Sequence, residues 1–407
     1  MASMTTPGSS QPPASSQPLT HAEAVARAKA LVPRVRALAG EAESRRRVPE
    51  PMIRDFIDAG LVRLLTPRRF GGHELGLDAF IDATLEIAKA DGSMGWCFSF
   101  LNIHSWLLAM MPEAAQQEVW SADPDACIAN VNVPGGQATP VEGGYRLTGV
   151  WPWASGIQHC GWAILAGIVP AAAGGEPSPP DVRLFVVPRA DFQVKDTWFV
   201  AGQRGTGSNH VAVTDAFVPE HRNARLVDVR EGQSPGSKVH EAPLYKLPFL
   251  PPMASSLVAP IIGAALGAYE TWREATRTRF TMYSRDQVAT LSHQQIRMAE
   301  TSAELDSAQL LLRRALDTQR PGGMLTLEQR VRTRRDYAYA ATLCVRAVER
   351  LYTASGAAAN FESNPLQRYW RDVHAMAVHS GINPDAAGEN FGRLELGLPL
   401  NPKDPLF

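Results

Sequence analysis

Three groups of side chains in this sequence stand where they could do chemistry. The string Trp151-Pro-Trp153-Ala-Ser155-Gly sets two indoles and a hydroxyl at the end of an alternating run. Flat rings and a hydrogen-bonding oxygen suit a planar ligand, and they suit the packed core of a strand equally well. A single histidine, His104, interrupts the apolar run Ser99 to Met111. On such a stretch a histidine is ordinarily a hydrogen-bonded core group, whereas beside a ligand the same ring can take or give a proton near neutral pH. The segment Gly202-Gln-Arg-Gly-Thr-Gly-Ser208 has the glycine density of a phosphate cradle. A dinucleotide fingerprint must open a helix, and this segment opens the alternating run His210 to Phe217 instead. It reads as a glycine-rich turn before a strand, or as a loop offering backbone N–H groups to a cofactor.

Other chemistries are poorly served. His374 and His379 stand five apart, about 140° around a helix, where a metal pair wants a spacing of four, and no HExxH or carboxylate-rich cluster accompanies them. No metal site is expected. A GxSxG elbow is absent, and nothing nominates a Ser/His/Asp triad. The four cysteines, Cys97, Cys127, Cys160 and Cys344, form no CxxC pair and no zinc-like spacing, so they read as free thiols of a reducing cytoplasm.

The scaffold that must position these residues follows from length and pattern. A chain of 407 residues predicts two or three domains with a large core. Lys plus Arg number 40 against 41 for Asp plus Glu, which leaves no global field for nucleic acid or an anionic membrane. The expected partner is a small molecule or another copy of the chain. Residues 1–18 have neither a basic n-region nor an apolar h-region and read as a disordered tail, not a secretory signal. Only Met253 to Trp272 tempts a membrane assignment, but Pro260, two serines and several small residues favour a helix packed inside a bundle.

Residues 19–126 read as helical. Thr20 and Glu23 fit a capping box, a second helix begins near Pro51 and stops at Gly60, a third covers Leu75 to Ala90, and a fourth covers Ser99 to Met111. Residues 127–228 change to short alternating or apolar runs (YRLTGVW, WAILAGIV, VRLFVVP, HVAVTDAFVP), a β-domain with PAAAGGEPSPP as a surface excursion. Residues 229–407 return to helix after a Pro-rich connection from Gly232 to Pro252. The predicted spans are Leu257 to Arg285, Leu291 to Gln319, Leu325 to Ser355 and Pro365 to Val378, lengths that suit long antiparallel helices.

With this α, β, α order, the strings GLVRLLTPRRFGGHELGLDAF, Trp153-Ala-Ser155, GQRGTGSNHVAVTDAFVP and TRTRFTMYSRDQVATLSHQQ resemble the acyl-CoA dehydrogenase superfamily across nearly the whole chain. The resemblance implies an α+β fold: an N-terminal helical domain, a central β-barrel-like domain and a C-terminal four-helix bundle, with flavin between the last two. In the dehydrogenases a Trp-Ile-Thr motif sets a hydroxyl beside the flavin N5 atom, and Ser155 falls on that position. One departure decides the subfamily. Where those enzymes carry a glutamate base late in the chain, this sequence has RDVHAMAVHSGINPDAAGENFGR, with His379 near that location, and without the carboxylate an α-proton of a thioester has no acceptor.

The strings SGIQHCGWA, GQRGTGSN, RDVHAMAVH and FGRLELGLPL are instead similar to the oxygenase components of two-component flavin-dependent monooxygenases, a group that includes the p-hydroxyphenylacetate and secosteroid phenol hydroxylases. By that similarity Trp96, His104, Trp153, Ser155 and His379 line flavin and substrate, Asn132 and Ser208 contact the flavin, and Arg277 and Phe280 match an Arg-x-x-Phe string that reaches a flavin in the neighbouring subunit. A homotetramer, or failing that a dimer, is therefore expected. The implied reaction takes reduced flavin (FMNH2 or FADH2) from a separate NAD(P)H-flavin reductase. With O2 it forms a flavin C4a-hydroperoxide that hydroxylates a phenolic or polycyclic aromatic substrate. Ser155 would serve N5, His379 the distal oxygen, and His104 the substrate hydroxyl. The alternatives are an acyl-CoA dehydrogenase or oxidase, an N-hydroxylating flavin monooxygenase, and a flavin-binding scaffold without turnover.

Overall fold

The computed structural model describes residues 17–171 and 179–404. Most of the expected N-terminal tail, and the middle of PAAAGGEPSPP, fall outside them. Five helices come first: α1 (His21–Arg45), α2 (Glu50–Asp58), α3 (Leu77–Ala90), α4 (Gly92–Ala109) and α5 (Glu113–Ala122). Thr20 and Glu23 close the capping box on α1, and Pro33 sits inside that helix without ending it. The fourth helix starts at Gly92 and not at Ser99. Asp91 caps it by accepting from the Met94 N–H, and Gly95 lets it cross α3 so closely that a Cβ would lie 2.4 Å from the Ala88 Cβ. Gly92 and Gly95 are contact points between helices.

Seven strands follow: β1 (Ile128–Val141), β2 (Gly144–Ala154), β3 (Trp162–Val169), β4 (Asp181–Pro188), β5 (Gln193–Lys195), β6 (Asn209–Pro219) and β7 (Asn223–Arg225). They form one sheet in the order β5-β6-β2-β1-β3-β4-β7, antiparallel except where β1 runs parallel to β3. The sheet is mixed and ends in two very short strands, and it forms the expected central β-domain between the two helical regions.

A short helix α6 (Leu226–Arg230) precedes the Pro-rich connection, and a second, α7 (Pro235–Val239), with the 3-10 turn Pro243–Lys246 gives that connection more structure than its composition suggested. Then come α8 (Leu250–Thr278), α9 (Ser292–Gln319), α10 (Leu327–Ser355), α11 (Pro365–Ala377) and α12 (Pro384–Glu395). The long helix α8 starts seven residues before the expected Leu257, because Pro251 and Pro252 lie in its first turn, where no N–H is missed. It stops at Thr278, and Phe280 pairs with Gln287 across a tight turn that the expected continuation to Arg285 had overlooked. By length and composition α8 could cross a membrane, but it is buried inside the protein, a core helix of the bundle.

Every residue of α4 is buried. Its Trp96, Phe100, Ile103 and Trp106 enter the core shared with α8 to α11, while its Met94, Cys97, Phe98 and Leu101 enter the core shared with α1, α2 and the sheet. A helix apolar all round can only live between two apolar layers. It is the spine against which sheet and bundle are both set, and it carries two of the residues nominated for the site.

Candidate active site

Three elements meet at the end of β2. Ser155 follows the last residue of that strand, and its hydroxyl accepts from the Trp96 indole N–H at 3.1 Å. The same oxygen lies 2.8 Å from Ser208 Oγ, which lies 2.6 Å from Thr206 Oγ1, and Thr206 donates to the Gln203 carbonyl at 2.9 Å. The Gly156 N–H donates to the Thr206 carbonyl at 2.9 Å. The glycine-rich segment is thus a turn before β6 that folds its hydroxyls onto the β2 terminus, and it opens no helix.

The two indoles of Trp151-Pro-Trp153 part company. Trp151 is fully buried and donates to the Ala166 carbonyl at 2.6 Å, so it is strand core. Between Trp151 and Ala154 the pairing with β6 slips, and Trp153 takes φ of 65°, a left-handed conformation costly for a bulky residue. The slip throws the Trp153 indole outward, 62% exposed.

On α4, Trp96, Phe100 and His104 recur every fourth residue and form a stripe of rings, with centroids 4.8 Å and 5.1 Å apart. The stripe runs about 12 Å along the helix. His379 closes its upper end, 6.0 Å from Trp96. His104 is 1% exposed, and burial pushes its imidazole down to about 4. Its Nδ1 lies 2.9 Å from the Ile128 carbonyl, which can only accept, so Nδ1 carries the proton. Nε2 is then a lone pair, and it is buried with no partner. His379 has the opposite tautomer. Its Nδ1 accepts from the Gly381 N–H at 3.1 Å, which leaves Nε2 as an N–H donor. Its residue has open surface, yet burial among the surrounding atoms lowers its imidazole to about 4.

His374 and His379 do not share a helix. α11 ends at Ala377, so His374 packs tilted against Trp370 at 4.6 Å while His379 caps the following 3-10 turn. Among the described residues no group of three or more His, Cys, Asp or Glu side chains could hold a metal ion, and the four cysteines are buried and free.

Asn132 lies in the irregular stretch of β1, and its Oδ1 is shielded from solvent without a partner. Arg277 and Phe280 are not brought to this cluster. α8 meets α4 where Ser99 donates to the Ser256 carbonyl at 2.7 Å, one turn from Trp96, and Arg277 lies about 30 Å further along the helix. Both Arg277 and Phe280 are more than half exposed.

Asp372 on α11 escaped the sequence reading. It is fully buried, accepts from the Gln203 N–H at 2.6 Å and from Ser93 on α4 at 3.1 Å, and so ties the glycine-rich turn to the start of the ring-bearing helix. Burial and the neighbouring Asp91 raise its pKa. α11 passes so close to the turn that a Cβ on Gly202 would lie 2.2 Å from the Arg371 carbonyl oxygen. No local signal marks Asp372. Phe100, by contrast, was findable as the ring midway between Trp96 and His104.

A cavity of about 750 Å³ opens elsewhere, among α1, α3, α8 and α9, and its wall includes the His21–Asp82 and Lys89–Glu86 ion pairs. None of the residues above lines it.

A hydroxyl at a strand end, an outward indole, an unpartnered amide oxygen and two imidazoles of opposite tautomer are groups whose chemistry fits a flavin. Residues 20–123 match the acyl-CoA dehydrogenase N-terminal domain, and residues 255–384 match the C-terminal domain. The flavin-dependent monooxygenase oxygenase subunit HsaA of Rhodococcus jostii is 36% identical over 92% of this chain and 98% of its own length. The FADH2-dependent resorcinol hydroxylase oxygenase component of a Rhizobium species is 34% identical over 89% of this chain and 91% of its own. XiaF from a Streptomyces species, solved with FADH2 and glycerol, superposes with a TM-score of 0.87 at 31% identity, covering 93% of this chain and 96% of that one. Taken with the cluster at the end of β2, these similarities establish that the chain belongs to the oxygenase components of two-component flavin-dependent monooxygenases, built on the acyl-CoA dehydrogenase fold.

Proposed function

We propose that this enzyme hydroxylates the ring of a phenolic or polycyclic aromatic substrate whose hydroxyl is held by His104. The observation that carries this reading is the buried Nε2 of His104, an acceptor without a donor at the end of a wall of aromatic rings. A phenol O–H supplies the missing donor, and accepting it raises electron density on the ring. Trp96 and Phe100 offer a buried aromatic surface between that anchor and Ser155.

Oxygenase components of this family take reduced flavin from a separate reductase, and the bound flavin supplies the activation of O2. Both relatives named above with their flavin have FADH2, and we assign FADH2 here ahead of FMNH2. In this assignment Ser155 contacts N5, the Trp153 indole covers the ring system, Asn132 and Ser208 complete the polar contacts, and the His379 Nε2–H faces oxygen. Arg277 and Phe280 can serve a flavin only in a neighbouring copy, which supports a homotetramer, with a dimer as the smaller competent unit. The free thiols support a cytoplasmic setting.

The test supplies chemically reduced flavin, O2 and a panel of phenols and acyl-CoA thioesters to the purified chain. A hydroxylated phenol is the expected product. Reduction of an electron acceptor by an acyl-CoA, with no oxygen incorporated into any phenol, would return the assignment to the dehydrogenases.

A further inference from the structure

The row of hydroxyls that starts at Ser155 has a direction. At one end the Trp96 indole N–H can only donate, and it points at Ser155 Oγ. At the other end the Gln203 carbonyl can only accept, and Thr206 Oγ1 lies 2.9 Å from it. Between them stand three hydroxyls, each with one hydrogen to give, spaced at 2.8 Å and 2.6 Å. Only one arrangement makes every bond: Trp96 donates to Ser155, Ser155 to Ser208, Ser208 to Thr206, and Thr206 to the carbonyl. Ser155 has then given its hydrogen to Ser208, and what it can offer a ligand is a lone pair. Reversing the run frees the Ser155 hydrogen but gives up the Thr206 bond to the carbonyl. That carbonyl keeps the Trp198 indole N–H at 2.9 Å and the Thr206 N–H at 3.1 Å, so reversal loses one bond without orphaning the acceptor. Asp372 holds the Gln203 peptide in place through its N–H.

We propose that Thr206 and Ser208 act as positioning residues that set Ser155 as a hydrogen-bond acceptor, and that this makes the site select reduced over oxidised flavin. The inference rests on the reading of Ser155 as the N5 contact. Reduced flavin carries a hydrogen on N5, and oxidised flavin presents a lone pair there. An acceptor at Ser155 takes the N5–H with all of the relay intact, whereas serving the oxidised form requires the reversed run and the loss of one hydrogen bond. One such bond corresponds to about threefold to tenfold in relative affinity. An enzyme that receives its flavin reduced and releases it oxidised gains in both directions.

Equilibrium titration of reduced FAD under anaerobic conditions and of oxidised FAD in air, on the full-length chain, gives the ratio of the two dissociation constants. Wild type should favour the reduced form. Thr206→Val removes the acceptor for the Ser208 hydrogen and makes the reversed run the better one, so the ratio should fall by about threefold to tenfold. Thr206→Ser keeps the hydroxyl and should keep the wild-type ratio. In a Ser155→Ala background Thr206→Val should change the ratio no further, an outcome that a packing defect would not produce. If Thr206→Val does not fold, Ser208→Ala makes the same test, because it too frees the Ser155 hydrogen. A ratio unchanged in a folded Thr206→Val or Ser208→Ala chain overturns the relay. Failure of wild type to bind either form overturns the flavin reading beneath it.

Discussion

His104 and His379 show how a single backbone contact decides what an imidazole can do. A carbonyl at Nδ1 makes His104 an acceptor at Nε2, and an amide at Nδ1 makes His379 a donor. His104→Gln should weaken phenol binding by about tenfold, the scale of one buried hydrogen bond left unmade, while reduced-flavin affinity stays unchanged. An equal loss of flavin affinity, read by titration, would move His104 to the cofactor. The pH dependence has a definite sign. With its imidazole near 4, His104 stays neutral down to about pH 5, so phenol affinity should hold there and fail near 4. An acid limb near 6.5 that His104→Gln abolishes would contradict this. The same shift acts on stability: the unfolded chain takes up a proton between about 6.5 and 4 that buried His104 refuses, so this group's contribution is present above 6.5 and lost as pH falls. His104→Gln should flatten that part of the melting-temperature profile.

Among elements, α4, the turn from Gly202 to Ser208, and α11 form one assembly, and Asp372 is its buckle. Asp372→Ala leaves the Gln203 N–H and the Ser93 hydroxyl without their acceptor, at a cost of about 1–3 kcal/mol for each buried group left unsatisfied. The melting temperature should drop and flavin affinity should weaken together. Gly202→Ala presses a methyl into the Arg371 carbonyl and should cost about 1–3 kcal/mol or more through overpacking. A Gly202→Ala chain that melts like wild type would show that α11 is free to move away from the turn. Most of these elements were legible in sequence: the capping box on α1, the glycine-rich turn opening β6, and the long bundle helices all follow local rules. The start of α4 was not: the apolar run shows the helix only from Ser99, and its first turns are fixed by α3 and Asp372 pressed against Gly95 and Gly92. The parting of Trp151 and Trp153 was not either. Strand alternation puts them on one face, and only the slip in pairing with β6 turns one of them out.

For the molecule as a whole, the two-component design makes a simple demand. The purified chain should oxidise no NADH alone, and an unrelated flavin reductase should switch on oxygen-dependent hydroxylation. NADH consumption by the isolated chain at a comparable rate would contradict a separate reductase. Arg277→Ala, about 30 Å from the Ser99–Ser256 contact along α8, should lower flavin affinity only if copies associate. Light scattering that finds a flavin-competent single chain would leave that residue without its role. The sequence by itself determined the chemistry available here, because motif strings carry residue identity: the Ser155 hydroxyl, the two histidines, and the missing glutamate that turns the reading from dehydrogenation to oxygenation. Only the tertiary structure decided how those groups are used. Tautomer, hydroxyl direction and exposure depend on which carbonyl or amide lies across the gap, and at His104 and Ser155 those partners, Ile128, Ser208 and Trp96, come from segments 24 to 59 residues away in the chain. Local propensity carries no information about partners at such separations, since packing of sheet, spine helix and bundle brings them together.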